Sequence, residues 1–160
     1  MGDEKTEKRE MPTLLVAVDF SLCSRLALRK AKELQKLNKG KLAVLHVIDR
    51  NFVAQFNRYH LGKDNDVKKK LFLDAKQRLK KLLHDEGLDE KGVRIWVCEG
   101  FPCIEINKKA NEIDADMVVM GSQGRSGDMK SIFFGSTAER VLRFIIKPVL
   151  CVPPEADHRI

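Results

Sequence analysis

Five short apolar runs punctuate the chain, and amphipathic stretches fill the space between them. Thr13-Leu14-Leu15-Val16-Ala17-Val18 and Leu42 to Ile48, LAVLHVI, are continuous rather than alternating. That pattern predicts strands covered on both faces, as in the middle of a parallel sheet. Val93, Ile95 and Val97 alternate with Arg94, Trp96 and Cys98, which predicts a third strand nearer an edge. Met117-Val118-Val119-Met120 and Pro148-Val149-Leu150-Cys151-Val152 read as the fourth and fifth strands.

Between these runs the period changes to that of a helix. Ser21 offers an N-cap, and Ala27, Leu28, Ala31, Leu34 and Leu37 follow at helical spacing until Asn38-Lys39-Gly40 supplies a stop. From Val67, the residues Leu71, Ala75, Leu79 and Leu82 form one stripe amid Lys and Arg, with Gly87 as the expected C-cap. Pro102 suits the first turn of a short helix supported by Ile104, Ile106, Ala110 and Ile113. Ser136, followed by Glu139 and then by Val141, Leu142 and Phe144, reads as a capping box opening a helix that runs to about Ile146. Residues 51–66 carry Phe52, Phe56, Tyr59 and Gly62 without a clear period. The expectation there is a loop with a helical turn, long enough to serve as a lid or partner surface.

The order is therefore β-α-β-α-β-α-β-α-β, with five strands and four helices. Such alternation predicts an α/β fold, a single doubly wound, Rossmann-like, mainly parallel sheet with helices on both faces. The simplest two-half arrangement has strand order 3-2-1-4-5. It makes strands one and four neighbours and places Asp19 and Gly121 at one crevice beyond their carboxyl ends, where doubly wound sheets take ligands. The domain is expected over residues 12–154, with polar, disordered tails at 1–11 and 155–160.

The fourth strand runs into a loop with Gly121, Gly124 and Gly127, and Gly135 closes it just before the last capped helix. A strand, a glycine-rich loop and a helix N-terminus form an anion site, because the first helical N–H groups lack intrahelical partners and the peptide dipoles leave partial positive charge there. Arg125 and Lys130 lie in the loop and are candidates to neutralise phosphate charge, with Asp128 between them working the other way. The spacing is neither the P-loop G-x-x-x-x-G-K-[ST] nor the dinucleotide G-x-G-x-x-G. An ordinary βα connection whose glycines serve only turns is the competing explanation.

Composition narrows the rest. With 160 residues, 43% of them hydrophobic, the chain has enough length for one domain with a core. It contains no apolar run of eighteen residues, and it opens on the charged MGDEKTEKREMP. A cytoplasmic protein with no membrane partner is expected. Cys23, Cys98, Cys103 and Cys151 are scattered, and His60, His84 and His158 lack metal-ligand spacing, so no metal site of the protein's own is expected. His46, in an apolar strand, reads as a hydrogen-bonded core histidine. The formal charge of +7 raises nucleic acid as a partner. The excess, however, lies on helical stretches such as Lys68 to Lys70 and Lys76 to Lys81, with no aromatic platform beside them, and a solvated helix face accounts for it.

Several motifs in order resemble the universal stress protein family. Val16-Ala17-Val18-Asp19-Phe20-Ser21, with Ser24 and Ala27, is similar to its opening V-x-x-D-x-S-x-x-S-x-x-A. Leu45-His46-Val47-Ile48-Asp49 is similar to its second strand, and Gly100-x-Pro102 and Lys147 to Val152 fit later segments. Gly121-x-x-Gly124, a spacer and Gly135-Ser136 resemble its ATP-binding signature G-2x-G-9x-G-[ST]. Here ten residues, Arg125 to Phe134, stand in the spacer. Either the loop bulges and still presents Gly135 and Ser136, or the phosphate pocket is altered.

The resemblance, covering residues 13–153, implies an adenosine site. In it Asp19 contacts the adenine or ribose end, Val47 meets the adenine ring, and Met120 and Gly121 line the ribose and first phosphate. Gly124, Gly135, Ser136 and Thr137 hold the phosphates. It implies ATP with Mg2+ or Mn2+ as ligand, and a homodimer joined through Val149–Val152. No nucleophile elbow, P-loop lysine or pyrophosphatase motif occurs, so slow ATP hydrolysis is the most expected of it as an enzyme. The leading expectation is a nucleotide-binding regulatory protein of the stress response. The alternative is a family member that does not bind ATP and works as a dimeric interaction module.

Overall fold

Each apolar run becomes a parallel strand, and the five strands line up in the order β3-β2-β1-β4-β5. The computed structural model describes residues 11–59, 64–124 and 134–154. The expected tails at 1–10 and 155–160, and Arg125, Gly127, Asp128 and Lys130, lie outside the described residues. The strands are β1 (Thr13–Ala17), β2 (Lys41–Asp49), β3 (Val93–Gly100), β4 (Met117–Gly121) and β5 (Val149–Val152). Between them run the helices α1 (Leu22–Asn38), α2 (Arg50–Tyr59), α3 (Asp64–Asp85), α4 (Pro102–Glu112) and α5 (Ser136–Phe144), with a 3-10 turn at Glu90–Gly92. The 3-2-1-4-5 order and the helices on both faces agree with the sequence reading.

The continuous apolar runs are explained by two cores, one on each face. Successive side chains of a strand point to opposite faces, so Leu14, Val16 and Val18 pack with Ala27, Leu28 and Ala31 of α1 and Leu79, Leu82 and Leu83 of α3. Leu15 faces the other way, with Leu45, Val118 and Met120, against Ile106 and Ala110 of α4 and Ala138 and Val141 of α5. Leu15 is fully buried, and replacing such a residue by Ala costs roughly 2–5 kcal/mol. At the base of the crossover the Thr13 N–H donates to Asp116 Oδ2 at 2.6 Å, and the Asp116 N–H returns a bond to the Thr13 carbonyl. This pair fixes the β1/β4 register at the point where the strand order reverses.

Several local expectations are corrected. Residues 50–59 form the ten-residue α2 rather than a loop with one turn. Its period is hard to see because only Val53 is buried, under Ile48 and Ala75, while Phe52 and Tyr59 remain exposed. There are thus five α-helices among the described residues, not four, and α3 begins at Asp64 rather than Val67. Ser136 is not an N-cap: Gly135 occupies that place with no side-chain bond, and α5 ends at Phe144. Ile104, expected to support α4 from within, is 55% exposed.

Other signals hold. The Ser21 hydroxyl accepts from the Ser24 N–H at 3.1 Å, capping α1. Gly87 takes φ 65° at the end of α3. At the end of α1 it is Lys39, not Gly40, that adopts the left-handed conformation. Gly40 is needed for a different reason, since a Cβ there would lie 2.5 Å from the Pro12 carbonyl oxygen.

Candidate functional site

A cleft opens beyond the carboxyl ends of β1, β2 and β4, holding about 520 Å3 of empty space with its mouth included. Its floor is apolar: Ala17, Leu45, Val47 and Met120 come from the strands and Pro102 and Ile106 from α4. Its rim is polar, with Asp19, Ser24, Gln123, Gly124 and Thr137. An apolar floor with a few convergent polar groups is the usual form of a small-ligand site. Among the charged side chains of the described residues, only that of Asp19 lines it.

Of the site residues expected from sequence, Asp19, Val47, Met120, Gly121, Gly124 and Thr137 all line the cleft. Gly135 and Ser136 begin α5 at its edge, and Arg125 lies outside the described residues. Ser24, Gln123, Pro102 and Ile106 were not expected as site residues. The signal for two of them was present, because Ser24 stands in the first family-like motif and Pro102 in the Gly100-x-Pro102 turn that starts α4. Gln123 and Ile106 carry no sequence mark of their own.

The glycines divide into different tasks. A Cβ on Gly121 would meet Cys23 Cβ at 2.6 Å and its carbonyl carbon at 2.8 Å, so this glycine lets α1 close onto β4 whether or not a ligand is present. A Cβ on Gly124 would sit 2.9 Å from Asp19 Oδ2. Gly135 backs onto the other side of the same turn: its N–H donates to the Ser122 carbonyl at 2.8 Å, and a Cβ there would approach the Gly124 nitrogen to 3.2 Å. The two ends of the glycine loop are therefore stapled together. With ten residues in the spacer, Gly135 still meets Gly124.

The helix ends at the cleft are not alike. In α1 the Ser21 hydroxyl accepts the Ser24 N–H, and the Ser24 hydroxyl donates back to the Ser21 carbonyl at 3.0 Å. In α5 the first intrahelical bond runs from the Glu139 N–H to the Gly135 carbonyl at 2.9 Å, and the N-cap residue, Gly135, makes no side-chain capping bond. The N–H groups of Ser136, Thr137 and Ala138 precede it and carry the positive end of the helix dipole.

Asp19 is held by its neighbours. Its Oδ1 accepts the Ser21 N–H at 2.9 Å. Phe20 between them has φ 65°, a left-handed conformation that costs an L-residue roughly 1–2 kcal/mol. Its ring lies 4.5 Å from the His46 ring and 4.2 Å beneath the Arg78 guanidinium. Contacts of these kinds contribute roughly 0.5–1.5 kcal/mol each, enough to offset the strain. His46 Nδ1 lies 2.7 Å from the Val18 carbonyl oxygen, an acceptor that requires the proton on Nδ1, so His46 is the hydrogen-bonded core histidine expected. Burial pushes the Cys23 thiol up in pKa, opposed by a hydrogen bond from the Gln123 backbone and reinforced by the charge of Asp19.

Comparison with known proteins agrees with this geometry. The model of the universal stress protein family matches residues 11–153. The universal stress protein MJ0577 of Methanocaldococcus jannaschii is 32% identical over 154 residues, covering 87% of this chain and 93% of its own. Universal stress protein Sll1654 of Synechocystis sp. is 29% identical over 141 residues, with coverages of 88% and 85%. Among solved structures, that of MJ0577 aligns with a TM-score of 0.74 at 30% identity, covering 90% of this chain and 96% of its own. The universal stress protein from Archaeoglobus fulgidus in complex with dAMP aligns with a TM-score of 0.58 at 26% identity, covering 89% and 97%. On the family match and the archaeal relative together, this chain belongs to the universal stress protein family.

Proposed function

We propose that the cleft binds an adenine nucleotide, ATP with Mg2+ or Mn2+ in the fullest form, and that occupancy switches a regulatory protein of the stress response. The observation that carries this reading is the uncapped N-terminus of α5. Thr137 and Ala138 of its first turn line a cleft whose only charged lining side chain among the described residues is one carboxylate, and a hydrogen bond from a first-turn N–H to a charged oxygen is worth roughly 1.5–3 kcal/mol. The apolar floor at Val47 and Met120 suits a flat base, and Asp19 suits the ribose or base edge. The relative from Archaeoglobus fulgidus in complex with dAMP supports the same ligand class. No group of three His, Cys, Asp or Glu that could hold a metal comes together among the described residues, so the cation is proposed to arrive on the phosphates.

The first experiment heats the purified protein, removes the precipitate and analyses the supernatant for adenine nucleotide, followed by titration with Mg-ATP. Released or titrated nucleotide at one per chain is the expected result. Saturating millimolar Mg-ATP with no uptake would overturn the assignment.

A second reading concerns assembly. β5 pairs with β4 on one side, and its Val152 carbonyl accepts the Ser122 N–H there, as the Pro148 carbonyl accepts that of Val118. By alternation, the N–H and C=O groups of Val149 and Cys151 point away from the sheet. Leu142, Phe144 and Ile146, just before this edge in the chain, are exposed, Ile146 at 81%. An open edge beside apolar side chains is a pairing surface, and a homodimer through Val149–Val152 is proposed. Sedimentation of wild type against Cys151→Pro, which removes an outward N–H, should shift dimer towards monomer.

A further inference from the structure

The joint that carries Asp19 is gripped from the far side of the sheet. Asp19 lines the cleft, where its Oδ2 lies against Gly124. The next residue, Phe20, packs into the other layer, against the core that includes Leu79, Leu82 and Leu83 of α3. A left-handed turn at Phe20 brings the Ser21 N–H back onto Asp19 Oδ1, so the direction of the carboxylate depends on that one dihedral. Glycine is the residue that takes this conformation without strain. A phenylalanine holds it here because the Arg78 guanidinium lies over its ring and the His46 ring packs tilted against it. Local preference and tertiary packing conflict at this position, and packing wins, which is the pattern of a site under functional constraint.

We infer that Phe20 is a positioning residue for the cleft: its ring, held by contacts with Arg78 of α3 and His46 of β2, fixes the turn that presents Asp19 to the ligand. The inference rests on the adenine-nucleotide reading of the cleft. It makes α3, which contributes no side chain to the cleft lining, a contributor to ligand affinity. His46 serves the same end from below, since its bond to the Val18 carbonyl fixes the residue before Asp19.

Calorimetric titration with Mg-ATP tests this on wild type, Phe20→Gly, Phe20→Tyr, Arg78→Met, Asp19→Asn and the Asp19→Asn/Phe20→Gly pair, each checked for fold by circular dichroism. Phe20→Gly relieves the backbone strain yet should bind about ten-fold more weakly, and Arg78→Met about three-fold, the range of coupling between contacting residues. Phe20→Tyr, which restores the ring, should restore binding. Because Phe20 acts through Asp19, Phe20→Gly should cost no further affinity in the Asp19→Asn background. Wild-type affinity in folded Phe20→Gly, or a loss that adds in full to that of Asp19→Asn, would overturn the positioning role. Should Phe20→Gly not fold, Arg78→Met decides: wild-type affinity in that surface variant overturns the clamp. Wild-type protein that takes up no Mg-ATP overturns the nucleotide reading itself, and the positioning role with it.

Discussion

The two shoulders of the cleft solve the same problem, a strand turning into a helix, by opposite means. At β1/α1 the turn is fastened by side chains: Asp19 accepts the Ser21 N–H, Ser21 and Ser24 exchange bonds, and Phe20 is clamped from behind. At β4/α5 the described residues are fastened through backbone, with Gly135 bonded to Ser122 and backed on Gly124. The first shoulder uses its helix N-terminus to cap itself. The second has a glycine as N-cap, which gives its helix end no side-chain cap of its own, and a helix end of that kind attracts an anion. One shoulder is thus built to hold a carboxylate still, and the other to receive negative charge from outside.

The comparison breaks most readily at Gly135. A Leu there would drive its Cβ to about the 3.2 Å approach to the Gly124 nitrogen, with the remaining side chain still to place. Losing two of the charged hydrogen bonds from α5 corresponds to at least a hundred-fold in affinity, at roughly 1.5–3 kcal/mol for each bond. Titration with Mg-ATP measures it, and an unchanged affinity would count against the phosphate assignment. Gly121→Ala probes the seam between the shoulders instead. Its Cβ collides with the Cys23 backbone of α1, and overpacking of this kind costs roughly 1–3 kcal/mol. Urea unfolding of the ligand-free protein should show that loss, because the clash exists with or without nucleotide.

What was legible in the sequence follows the same division. Strands buried on both faces announce themselves by unbroken apolar runs, so β1 and β2 were readable from pattern, while the strand order followed only as the simplest two-half arrangement of alternating elements. The β1/α1 shoulder was readable too, because Ser21 caps through a side chain. The β4/α5 shoulder misled in detail: Ser136 and Glu139 have capping-box spacing, yet Gly135, bonded to Ser122, is the N-cap and Ser136 is the first helical residue. Helix α2 was missed because its buried face is one residue wide. The clamp on Phe20 could not be read at all, because Arg78 and His46 lie 58 and 26 positions away and meet only through the fold.

Ser21→Ala sharpens the contrast at smaller scale. Removing the cap should destabilise the protein by about 1 kcal/mol, visible as a lower urea midpoint with the slope unchanged. Ser136→Ala, at the position first read as the equivalent cap, should leave stability nearly as it was, since Ser136 makes no capping bond. Equal losses in the two variants would erase the distinction between the shoulders.

The smallest effect belongs to Cys23, which stands where the shoulders touch. Burial raises its pKa from 9.0, and burial raises those of Cys98 and Cys151 in the same direction. A group whose folded pKa is raised keeps its proton longer in the native state than in the unfolded one, so the native state binds more protons in that range. The stability this represents is complete below pH 9.0 and is lost as pH climbs from there through the raised folded value. Cys98 and Cys151 are raised in the same direction, so the comparison must be with Cys23→Ala. Urea midpoints taken from pH 7 to pH 10 should fall less steeply in that variant than in wild type. Parallel slopes would mean that the thiol ionises as readily in the fold as outside it, and that the seam between α1 and β4 is open to water.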